Sequence, residues 1–120
     1  MREPRLGREA DGESALRTGL AEYNAGRFWN AHERWERVWR GLSGDEKRYL
    51  QGLIMLAAAA WHAQQGHEGT ARRLLERAAP RLETPVVLAD LPVDLHLAGR
   101  VRAAQASATL SLPPVSLEPA

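Results

Sequence analysis

Four residues in one short stretch carry side chains whose types and spacing could do chemistry together: Trp29, His32, Glu33 and Glu36. Residues three and four apart are neighbours on a helix, so His32 and Glu36 share one edge, with Glu33 and Trp29 beside them. His32-Glu33-Arg34-Trp35-Glu36 approaches the pattern His-Glu-x-x-His, in which two histidines one turn apart hold a metal and the glutamate acts as base. Glu36 stands where the second histidine belongs. One reading therefore makes His32 and Glu36 ligands of a divalent ion and Glu33 the general base of a hydrolase. Two ligands do not complete a site, so a third must come from His62, His67, His96 or a carboxylate brought in by the fold.

A second reading treats Trp29 as an exposed stacking surface and His32, Glu33 and Glu36 as polar anchors of a ligand pocket. A large exposed apolar side chain marks contact with something, and that something could also be the chain's own tail or a second copy of the chain. Gln51 and His62 are further candidates on another helix. They lie 11 residues apart, about 16 Å along a helix axis, so they do not belong to one compact site. A third reading leaves His32 at the edge of the core, donating to a backbone carbonyl, Glu36 or Gln51, while the tryptophans only pack or join subunits.

The elements that position these residues follow from periodicity. Arg27 to Arg40 reads as a helix with Phe28, Ala31, His32, Trp35, Val38, Trp39 and Leu42 along one face. Before it, a helix from about Glu13 to Asn24 carries Ala15, Leu16, Leu20 and Tyr23 as its stripe, and Gly26 closes it in the left-handed conformation. Ser43 and Glu46 have capping-box spacing, opening a third helix from about Gly44 to Gln65. That helix is apolar nearly all round, as befits the centre of a bundle. A fourth helix follows Gly66, from about His67 to Leu82, with Ala71, Leu74, Leu75, Ala78 and Leu82 inward. Pro85 breaks the chain, and a fifth helix is expected from Pro92, a suitable first-turn residue, to about Ser107.

An offset of 40 residues aligns Gly26 with Gly66, Ala31 with Ala71, Glu36 with Glu76 and Arg37 with Arg77. Each unit is then a helical hairpin, as in tetratricopeptide-like arrays. Residues 1–12 read as a flexible charged arm, 13–107 as one helical domain, and 108–120 as an extended or disordered proline-rich tail. If the tail is ordered, Leu110, Leu112, Val115 and Leu117 lay it along the body.

Composition narrows the function classes. A net charge of +1 provides no global field for nucleic acid or acidic membrane, and neither is expected as a partner. Arg72, Arg73, Arg77 and Arg81 follow one helix without interleaved aromatics, so they read as a solvated face paired with Glu68 and Glu76. With no cysteine there is no disulfide, thiolate metal site or cysteine nucleophile. The longest apolar run, Leu53 to Trp61, is nine residues, about half of a membrane span. The polar start, Met1 to Glu13, has no secretory pattern, and the expectation is a soluble cytoplasmic protein.

Tyr-Asn-x-Gly-x-Phe-Trp-x-x-His-Glu-x-Trp-Glu (Tyr23 to Glu36) is followed by Leu50-Gln51-Gly52-Leu53-Ile54, His62 and Gly66. Together these residues resemble the bacterial family known as domain of unknown function 309, over about residues 14–82. The resemblance implies a small all-helical, right-twisted bundle and no particular activity. It maps the family's motif positions onto Trp29, His32, Glu33, Trp35, Glu36, Gln51 and His62. The expectation is an all-α bundle of two antiparallel helical hairpins plus a C-terminal helix, serving as a non-catalytic binding or interaction module. Its partner would be a protein, a small molecule or a second copy of the chain. No cofactor is expected, and a divalent metal on His32 and Glu36 is the alternative.

Overall fold

A computed structural model describes residues 4–84, 86–88, 91–92, 94 and 96–115. The chain is all-α, and among the described residues it forms five helices: α1 (Pro4–Asn24), α2 (Phe28–Trp39), α3 (Gly44–Gln64), α4 (Glu68–Leu82) and α5 (Leu97–Ala106). Two-residue strands β1 (Val87–Leu88) and β2 (Leu91–Pro92) pair antiparallel in the α4–α5 connection, Val87 opposite Pro92. Two hairpins, α1 with α2 and α3 with α4, share α3 as the central helix, and α5 packs on α4.

The sequence accounts for that order. On α3, Tyr49, Leu50, Leu53, Ile54, Met55, Leu56, Ala57, Ala59 and Ala60 are all buried, so the helix needs cover on both sides, and α2 and α4 supply it. Trp35 lies wholly inside, and its Nε1–H donates to the Leu16 carbonyl at 3.2 Å. Here α1 crosses the indole at Gly19, where an added Cβ would sit 2.3 Å from Trp35 Nε1. No other residue allows this approach without moving the indole.

The two hairpins repeat one another in the backbone. Gly26 and Gly66 have φ of 87° and 83°, a region where glycine carries no Cβ penalty. Arg27 N–H donates to the Glu22 carbonyl and His67 N–H to the His62 carbonyl, each at 2.8 Å. The 40-residue offset is therefore a repeat of geometry as well as of letters.

Several boundaries differ from expectation. Helix α1 begins at Pro4, so residues 4–12 of the expected charged arm are helical; residues 1–3 lie outside the described residues. Proline needs no N–H partner in a first turn, and Arg5, Leu6, Arg8, Glu9 and Ala10 are good helix formers. Helix α5 begins at Leu97, not Pro92, which lies in β2. The Asp94 carboxylate accepts the His96 N–H at 3.0 Å, a turn that delays the helix. Ser43 is the N-cap of α3, but its hydroxyl makes no cap bond, so the capping box does not form. Asp45 and Glu46 still place negative charge in the first turn, where the helix dipole favours it.

The described part of the tail, up to Val115, lies along the body. Tyr23 Oη donates to the Pro113 carbonyl at 2.8 Å, and Asn24 exchanges two bonds with the Val115 backbone, at 2.9 and 3.1 Å. Val115 is buried, with Leu110 and Leu112 partly buried against the core. Pro85 and Leu117 lie outside the described residues. Among those described, no helix is long and apolar enough to cross a membrane.

Candidate functional site

The apolar arc of α2 turns Ala31 and Trp35 inward and leaves Trp29 on the outside. Trp29 is 43% exposed and is the exposed large hydrophobic residue among those described. It is nevertheless fixed. Its ring stacks on His32, with centroids 4.6 Å apart and planes within 8°. Its Nε1–H donates to Glu33 Oε2 at 3.1 Å. From α3, the Trp61 ring approaches to 5.3 Å at a tilt of 51°.

The aromatic contacts continue past Trp61. Its ring meets His62 edge-on at 5.0 Å, and His62 faces His67 across the α3–α4 turn with the two Nδ1 atoms 3.2 Å apart. A continuous band of Trp29, His32, Trp61, His62 and His67 thus runs from α2 over the end of α3 to the start of α4. The tail takes a different place. Leu112, Pro113 and Pro114 lie with Tyr23, Asn24 and Phe28 around an open groove of about 410 Å³.

The structure divides the sequence candidates. Trp29, His32 and Glu33 form one cluster, and His62 joins it through Trp61. Gln51 is elsewhere, its Oε1 accepting from Arg81 Nε at 3.3 Å. Glu36 turns to Arg40, 3.8 Å away. Trp61 is a member that the sequence reading passed over, and His67 was considered there only as a third metal ligand. Trp61 looked like one more core residue, whereas His67 follows His62 at the spacing of Glu22 and Arg27 around Gly26.

His32 is half-buried on α2. Its Nδ1 is buried and finds no hydrogen-bond partner among the described residues, so the expected bond to a carbonyl, Glu36 or Gln51 is not made from that nitrogen. Stacking on Trp29 sets the ring instead.

Electrostatics single out two carboxylates. Glu22 accepts two bonds from Arg34, Nε to Oε1 and Nη2 to Oε2, both at 2.9 Å. The Arg34 hydrogen bonds hold the Glu22 carboxyl below its usual range despite its burial. This pair ties α1 to α2 behind the motif. Glu33 differs, because among the described residues its partner is the Trp29 indole N–H and no cation pairs with it. The arginines of α4 are partly structural: Arg72 pairs with Glu68 at 2.7 Å and reaches the Ala108 carbonyl at 3.3 Å.

The hydrolase alternative needs a third ligand near His32 and Glu36. Among the described residues no group of three His, Asp or Glu is placed to hold a metal ion. The arrangement offers a stacking surface with a carboxylate at its edge.

The model of the family described as Domain of unknown function (DUF309) matches residues 16–74, and this match supports assigning the chain to that family. The matched segment contains the whole band from Trp29 to His67. The comparisons with curated proteins and with solved structures return no significant match.

Proposed function

We propose that this protein is a non-catalytic binding module whose recognition surface is the face formed by Trp29, His32, Glu33 and Trp61. The observation that carries the reading is that Trp29 is exposed yet immobilised, the residue being 43% open to solvent and its indole held by His32, Glu33 and Trp61. Two indoles beside a carboxylate that has no cationic partner among the described residues suit one class of ligand, a cationic group. Ammonium or guanidinium over an indole face gains from the ring quadrupole, and Glu33 adds charge pairing. An arginine or lysine side chain on a partner protein has that chemistry, and so does a small quaternary ammonium. No catalytic step is proposed.

The test is a titration of acetyl-arginine-amide followed by the Trp29 indole N–H resonance, with acetyl-glutamate-amide as the anionic control. The expected result is a saturable shift for the cation that Glu33→Gln reduces and the anion does not reproduce. Equal or absent responses to both probes would overturn the proposal.

A further inference from the structure

At the far end of the band, His62 and His67 are poised in a way that their neighbours do not require. Their Nδ1 atoms lie 3.2 Å apart, with ring centroids at 5.5 Å. Two imidazole nitrogens bound at roughly 2.0–2.1 Å to one tetrahedral ion are separated by about 3.3 Å. The pair already has the bite of a chelate. We infer that His62 and His67 form a two-imidazole site for a borderline divalent transition metal such as Zn²⁺, with the remaining positions open to water or an outside donor.

Three further features support the assignment. The backbone fixes the pair: Gly66 holds φ at 83°, and the His67 N–H is bonded to the His62 carbonyl at 2.8 Å. His62 is half-buried against Trp61 and His67 is exposed, so the pair is oriented on one side and accessible on the other. The first hairpin supplies an internal comparison. The same turn there places Glu22 and Arg27 at the equivalent positions, and Glu22 turns away to Arg34. Proximity across the turn is thus a property of the repeat, whereas two metal-binding rings with facing nitrogens belong to the second hairpin alone.

Without metal, the 3.2 Å contact accommodates one Nδ1–H donating to the other ring's bare Nδ1. Binding an ion requires the donor ring to move its proton to Nε2, so that both Nδ1 lone pairs face the metal. Neutral rings make that change with no net loss of protons. Imidazole suits zinc, nickel and copper, and an incomplete ligand set makes the metal exchangeable.

The site does not depend on the proposed cation-binding role of Trp29, and the two fail separately. The experiment is a calorimetric titration of Zn²⁺ into the metal-stripped full chain, alongside His62→Ala, His67→Ala and His96→Ala. His67 makes no side-chain cap bond, so its replacement leaves the α4 terminus intact; circular dichroism checks each variant, with His67→Gln as a second replacement. The expected result is one Zn²⁺ per chain, lost in the His62 and His67 variants and kept in His96→Ala. Undiminished binding in folded His67→Ala, or no saturable binding by the natural chain, would overturn the assignment.

Discussion

Trp29 lies flat on His32, ring planes 8° apart, and this stack determines what the outer face of α2 presents to solvent. One face of the indole is used, its N–H is committed to Glu33, and the residue remains 43% exposed. The fold thereby holds an apolar surface in the open while its neighbour Trp35, on the other side of the same helix, is wholly buried.

The burial of Trp35 sets the first expectation. Trp35→Ala removes a large side chain from a packed interior and should lower stability by roughly 3–5 kcal/mol. Urea unfolding followed by circular dichroism measures it. A loss below about 1 kcal/mol would contradict the assignment of the buried face.

Gly19 provides a second test of the same contact from the opposite helix. Gly19→Ala puts a Cβ into the indole of Trp35. Overpacking of this kind should cost about 1–3 kcal/mol, even though alanine is the better helix former. If α1 were loosely packed, the same change would stabilise the protein.

The Glu22–Arg34 pair gives a pH dependence with a definite sign. Hydrogen bonds from Arg34 depress the folded-state pKa of Glu22, whereas the unfolded carboxyl titrates near about 4.3. The pair's contribution is therefore full above the unfolded pKa and is lost as pH falls through the folded one. Arg34 is 35% exposed, so screening limits the effect of Glu22→Gln to about 1 kcal/mol at neutral pH. Melting curves at pH 7 and pH 3 should show the mutant's deficit at the first and a smaller deficit at the second.

Asn24 ties the tail to the α1–α2 corner through both the N–H and the carbonyl of Val115. Asn24→Ala breaks two hydrogen bonds and should cost about 1–2 kcal/mol. Hydrogen exchange at the Val115 amide should quicken more than at core amides of α3. Unchanged protection at Val115 would mean that Asn24 does not hold the tail.

Much of this fold was legible from periodicity, because core helices obey local rules. The stripe of α2, the all-round apolar α3 and the glycine turns at Gly26 and Gly66 follow from spacing alone. Boundaries were missed where polar composition or a competing local bond decided the outcome. The charged start of α1 is helical because most of its residue types are good helix formers, and Asp94 holds α5 off until Leu97. The candidate face was half legible. Trp29, His32 and Glu33 are neighbours in sequence, whereas Trp61 and His67 arrive through the packing of α3 on α2 and through the second turn. No one-dimensional period reports a contact between helices. The partner of Gln51, Arg81 on α4, was illegible for the same reason.

The central claim is that Trp29 is kept in the open for recognition and not for packing. Its most direct test is Trp29→Ala, with the acetyl-arginine-amide titration and urea unfolding run on the same samples, read out by proton resonances of His32 and Trp61. The account predicts that the saturable response is lost while stability changes by less than about 1 kcal/mol, as expected away from the core. A variant that keeps the response, or that loses stability on the scale of Trp35→Ala, would contradict it.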